Sequence, residues 1–123
     1  MPIPIEAGRQ LGQVRPVGAT DTTLYAPIAR VIGRVTSIVI VNTSGAAALA
    51  RIAHHDSGTN LTQAEALMWD FDITTAPGVG MGEPYILTFD GGMFVRNPGT
   101  IRVRSSVADA HTFTAYGSEL VIP

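Results

Sequence analysis

The sequence predicts an all-β protein, an antiparallel β-sandwich or jelly-roll-like domain over residues 19–123 with an extended N-terminal arm over residues 1–18. Three observations lead there. Short apolar runs with period-two alternation are separated by Gly, Pro, Asn and Asp clusters, as in strands joined by tight turns. No segment sustains a helical repeat. The opening MPIPIEAGRQLGQVRPVG has neither period: Pro2, Pro4 and Pro16 remove backbone donors, and Gly8, Gly12 and Gly18 interrupt any helix. Such a segment is expected either to order on contact with a neighbour, reaching on the order of 50 Å at ~3.1 Å per residue, or to be a disordered tail.

Within the body, Thr22-Thr23-Leu24-Tyr25 reads as a short strand stopped by Pro27, and residues 34–41 as the first long one. Strict alternation sets Val35, Val39 and Val41 on one face and Ile38 and Ile40 on the other, so both faces are covered. Asn42-Thr43-Ser44-Gly45 supplies a turn. Residues 46–54 open on three alanines that favour helix by propensity, but their position between turn signals favours a strand. Residues 56–60 form a loop. Over residues 67–73, Leu67, Trp69, Phe71 and Ile73 are expected inward and Met68, Asp70 and Asp72 outward, which makes Trp69 the expected core anchor. A loop over residues 76–84 leads to a strand at 85–89, a turn at Asp90-Gly91-Gly92, and a short strand at 93–96 ended by Asn97-Pro98-Gly99. Residues 101–105 set Ile101 and Val103 inward and Arg102 and Arg104 outward; residues 112–116 are expected to pair with them across Ala108-Asp109-Ala110. Residues 117–122 read as a final strand.

Composition narrows the function classes. Hydrophobic residues make up 46% and charged residues 15%, so much of the surface is neutral or covered by partners, and a covered surface is the reading adopted. Every basic residue is arginine, which suits bidentate, partly buried contacts. Residues 1–34 hold Arg9, Arg15, Arg30 and Arg34 against Glu6 and Asp21, which leaves a mildly basic arm on an acidic body. A net charge of −2 without a basic stripe gives no footprint for direct nucleic-acid binding. There is no cysteine, hence no disulfide or thiolate metal site. The start lacks the features of a secretion signal and no apolar run is long enough to span a bilayer, so a cytosolic product with no membrane partner is expected.

Few side chains invite chemistry. His54, His55 and Asp56, with His111, are the candidate metal ligands or bases, yet adjacent strand histidines point to opposite faces. Asp70 and Asp72 share a face and could hold a hard cation, although alternate acids are also the ordinary solvated pattern. Gly78-Val79-Gly80-Met81-Gly82 follows Pro77 and opens no helix, so it is not read as a phosphate loop. Asn42-Thr43-Ser44 and Asn60-Leu61-Thr62 match the glycosylation pattern by chance. No hydrolase motif is present, and neither a catalytic residue nor a cofactor is expected. The candidate interface comprises Pro2, Ile3, Pro4, Ile5, Arg9 and Arg15 on the arm, and Arg102 and Arg104 on an outward strand face.

Four stretches carry a resemblance: Thr23-Leu24-Tyr25-Ala26-Pro27, Val35-Thr36-Ser37-Ile38-Val39-Ile40-Val41-Asn42-Thr43, Ile101-Arg102-Val103-Arg104-Ser105-Ser106-Val107-Ala108 and Phe113-Thr114-Ala115-Tyr116-Gly117-Ser118-Glu119. Over residues 22–122 the pattern resembles small β-sandwich virion proteins of tailed bacteriophages. The resemblance implies a non-enzymatic capsid decoration or cement protein, made in the host cytoplasm and bound as a homotrimer to the major capsid protein on the virion surface. Alternatives are a tail or head-fibre component, a carbohydrate-binding module with an aromatic platform drawn from Tyr25, Tyr85 and Tyr116, and a metal-dependent enzyme using His54 or His55 with Asp70 and Asp72.

Overall fold

A computed structural model of the chain describes residues 8–44, 47–58, 61–73 and 84–122. Its strands are β1 (Arg9–Val14), β2 (Thr22–Tyr25), β3 (Val31–Asn42), β4 (Leu49–His55), β5 (Ala66–Asp72), β6 (Tyr85–Arg96), β7 (Thr100–Ser105) and β8 (His111–Val121), with one 3-10 turn at Gln63–Glu65 before β5. They form two four-stranded sheets ordered β1-β8-β3-β6 and β2-β7-β4-β5.

That order has a simple origin. β1 pairs with β8, β2 with β7, β3 with β6 and β4 with β5, all antiparallel, so the chain is one long hairpin folded about the β4–β5 connection. Rolling this hairpin adds the β3–β8 and β4–β7 pairings, which convert four strand pairs into two facing sheets. The result is an eight-stranded jelly roll, the all-β class expected.

Between the sheets lie Val35, Ile38, Ile40, Val95, Phe113 and Ala115 from the first sheet and Tyr25, Ala50, Ile52, Met68, Ile101 and Val103 from the second. Burying each large aliphatic or aromatic side chain here contributes roughly 1.5–3 kcal/mol. A polar node crosses this core. The Ile73 carbonyl, just past β5, accepts from Asn42 Nδ2 at 2.8 Å and from His111 Nε2 at 2.9 Å, while His111 Nδ1 lies 2.9 Å from Ser105 Oγ. A carbonyl only accepts, which places the ring proton on Nε2 and leaves Nδ1 of the neutral imidazole to accept from the serine. Burial holds the His111 pKa below its ordinary value, against the upward pull of the Ile73 hydrogen bond and Asp72.

Five expectations are corrected. Arg9–Val14, within the expected arm, is a strand of the first sheet, so the sandwich begins well before residue 19. Residues 1–7, including Pro2, Ile3, Pro4 and Ile5, lie outside the described residues. In β3 the extra residue Thr36 bulges between Val35 and Ser37, which puts Val35 on the core face with Ile38 and Ile40. In β5 two register shifts, with Asp70 at φ 52°, put Met68 in the core and Trp69 on the outer face, where Arg51 Cζ stands 4.1 Å from its ring centroid. Asp90-Gly91-Gly92 is a bulge within one strand, because the segments on both sides pair with β3. Finally, β8 pairs with β1 and β3 and leaves β7 to the other sheet.

Candidate interaction surface

The irregularities of the first sheet are aligned. Leu11 is the extra residue of β1 opposite the Tyr116–Ala115 step of β8, Thr36 is the extra residue of β3 opposite the Gly117–Tyr116 step, and β6 bulges between Thr88 and Met93, opposite the same part of β3. A bulge bends its strand and sharpens the local twist. Three in a line crease the sheet, and the crease opens on its outer face.

Two depressions share Arg34 along this crease. One, of about 530 Å³, is lined by Gly8, Arg9, Thr36, Tyr116 and Gly117 beside Arg34. The other, of about 510 Å³, is lined by Ile32, Gly91, Phe94, Arg96 and Leu120. Cross-strand register explains the second: Leu120, Ile32 and Arg96 form one row, and Ser118, Arg34 and Phe94 the next. Phe94 is 56% exposed, Leu120 47% and Tyr116 40%. Exposed aromatic and aliphatic groups beside arginines make the composition typical of an interface core.

Backbone detail fixes the central cation. Arg34 Nε donates to the Gly91 carbonyl at 3.0 Å. Gly91 and Gly92 hold φ of 77° and 90°, and a Cβ on Gly92 would come within 2.6 Å of Arg34 Cγ. Glycine therefore supplies both the left-handed turn of the bulge and the room for the arginine stem. On the inner side of the sheet, away from the crease, Arg9 pairs with Glu119, whose second oxygen accepts from Oη of the core residue Tyr25 at 2.6 Å. Burial raises the Tyr25 pKa and the nearby Arg9 charge lowers it, with burial the larger effect.

The expected interface residues are dispersed. Arg9 lines the crease, whereas Arg15 follows β1 and stands 4.0 Å from Asp109. Arg102 and Arg104 lie on the second sheet and are engaged within the chain: Arg102 donates to Thr23 Oγ1 and to the Asp21 carbonyl, and Arg104 Nη1 lies 3.2 Å from Asp21 Oδ1. Arg51 holds Asp70 with two hydrogen bonds, of 2.6 and 3.1 Å, which keep that carboxyl below its ordinary pKa. The candidate metal ligands are likewise apart. His111 is buried in the polar node, and His55 Nδ1 accepts from the Ser57 amide while Nε2 lies 3.6 Å from Glu65. Among the described residues no group of three or more acids and histidines converges. The tyrosines make no platform: Tyr25 is in the core, Tyr85 packs on Phe71 with centroids 4.8 Å apart, and Tyr116 belongs to the crease.

Sequence reasoning missed Arg34, Phe94 and Leu120. The one local signal for them is the Gly91-Gly92 pair, which marks a bulge as readily as a turn.

No protein-family model and no curated protein matches the chain. Solved structures do. One is a chain of the viral particle of infectious bursal disease virus, with TM-score 0.50 and 15% identity over 93% of this chain and 30% of that one. Another is a chain of the VP2 subviral particle of the same virus, with TM-score 0.50 and 16% identity over 94% of this chain and 32% of that one. The shared feature is the fold. This chain spans about a third of the length of either viral chain.

Proposed function

We propose that the chain is a structural virion protein without catalytic activity, a decoration or cement protein on the outer surface of a tailed-phage head. It binds the major capsid protein as a homotrimer and ties neighbouring subunits together. The observation that carries this reading is the jelly roll itself, complete in this short chain and similar to about a third of two chains from viral particles. The creased outer face, where apolar side chains sit among arginines, supports it as a contact surface. So does the interface-like composition, with 15% charged residues and arginine as the only basic type. Weak contacts repeated by symmetry at high effective concentration become collectively durable, which is what a cement protein requires.

The test is the copy number and position of the protein in purified particles of the virus that encodes it. Quantitative mass spectrometry should give copies in proportion to the major capsid protein, with antibody-gold label distributed over the head. A handful of copies with label at the tail would move the protein to the tail, and absence from particles would overturn the reading. Light scattering on the purified chain should give three times its 13.0 kDa mass if the trimer forms before docking.

A further inference from the structure

We infer that the depression at β8, β3 and β6 is one half of a two-fold contact between copies of this chain. The inference rests on the chain alone and does not depend on the virion reading, since a two-fold contact joins two single chains as readily as it joins one trimer to another.

β6 is the outer strand of its sheet and 12 residues long. An outer strand of that length invites a neighbour's strand, but the bulge between Thr88 and Met93 interrupts this one, so no continuous main-chain ladder can run along its edge. What β6 offers a neighbour is its side chains. Phe94 is 56% exposed, and with Leu120 and Ile32 it forms the apolar wall of the depression. Asp90 precedes Gly91, which lines the depression, and Arg96 ends the strand; both charged residues are exposed. Among the described residues neither Asp90 nor Arg96 has a hydrogen-bond or ion-pair partner, whereas Arg34 beside them is already engaged by the Gly91 carbonyl.

The order along β6 is therefore acid, apolar, base, and that order is its own complement. A two-fold axis over the middle of the segment reverses it. Asp90 of one copy then meets Arg96 of the other at both ends, while Phe94 and Leu120 meet their counterparts between them. The result is an apolar centre with a charged rim, the usual anatomy of a protein contact. A foreign partner would have to bring a base and an acid at the same spacing; a second copy brings them by symmetry, and two-fold contacts are the commonest kind between identical chains. Three partly exposed apolar side chains fall short of the ~800 Å² per partner that a standard stable interface buries, so the pairing of free chains is read at high concentration.

Sedimentation equilibrium on the full-length chain at low ionic strength, from ~10 μM to ~1 mM, should show the weight-average mass rising toward twice that of the dilute species. Asp90→Arg sets base against base at both ends and Arg96→Asp sets acid against acid, so each variant alone should self-associate about tenfold more weakly or worse. Mixed in equal amounts, the two variants offer each other opposite charges at both ends, and the mixture should recover the wild-type curve. The doubly substituted Asp90→Arg/Arg96→Asp chain should recover it as well, and Phe94→Ser should lose it. All three residues are exposed, so the replacements leave the core intact. A wild-type mass that does not rise, single variants that associate like the wild type, or a mixture that stays at the dilute mass overturns the inference. A mass that climbs past twice the dilute value overturns the two-fold assignment.

Discussion

His111 shows how a single side chain changes meaning with the fold. Beside His54 and His55 in the sequence it is a candidate ligand; in the structure strand pairing sets it opposite Asn42, and both hold the Ile73 carbonyl. The link between these residues is long-range, and no spacing in the sequence announces it. The node has a pH consequence. Burial keeps the His111 pKa below the ordinary 6.5, and burial does the same at His54 against the opposing effect of Asp56. The unfolded chain therefore takes up protons near 6.5 that the folded chain refuses until lower pH. The stability this provides is complete above 6.5 and is lost as pH falls through that value toward the folded pKa. Urea midpoints should drop between pH 7.5 and 5, and His111→Gln, which keeps a donor for Ile73, should show a shallower pH slope and a lower midpoint at pH 7.5. An unchanged slope would remove His111 from the effect.

At the scale of elements, the strands after β1 were largely legible, and their faces were legible only where the pairing is regular. The alternation over residues 101–105 set Ile101 and Val103 inward, as the structure does, because β7 pairs with β4 without an irregularity. The same rule misplaced Val35 and Trp69, because one inserted residue reverses every side chain beyond it. Trp69 lies outside the core, stacked with Arg51, and Met68 takes the inward position. Bulges also set the tolerance of the glycines. A Cβ on Gly117 would collide with the Arg34 carbonyl, backbone against backbone in the middle of the sheet. Gly91 has φ 77° but nothing within 4 Å of a Cβ. Gly117→Ala is therefore expected to cost about 3 kcal/mol or more in denaturant unfolding, and Gly91→Ala about 1 kcal/mol from conformation alone. Similar losses at the two positions would show that the β3–β8 bulge yields where the structure has it fixed.

For the whole molecule, the decisive contact joins the two ends of the folded chain. β1, the first strand, pairs with β8, the last, and carries Leu11 and Val14 against the core and Gln13 Nε2 to Thr114 Oγ1 at 2.9 Å. A pairing between segments a hundred residues apart leaves no local trace, and its proline- and glycine-rich surroundings read as arm. The sandwich therefore already includes Arg9–Val14, and two truncations separate the contribution of β1 from that of the residues before it. Removing residues 1–7 leaves every described strand in place, so in dilute solution the melting temperature should stay within about 2 °C of the full chain. Removing residues 1–14 takes away β1, exposes the edge of β8 and withdraws two partly buried aliphatic side chains, a loss on the order of 3 kcal/mol. At roughly 4 °C per kcal/mol for a domain of this size, melting should fall by about 10 °C or more. If the shorter cut alone destabilises the isolated domain that much, residues 1–7 belong to the sandwich and not to an arm. If the longer cut is harmless, β1 contributes little to the fold, and the domain begins near residue 19 after all.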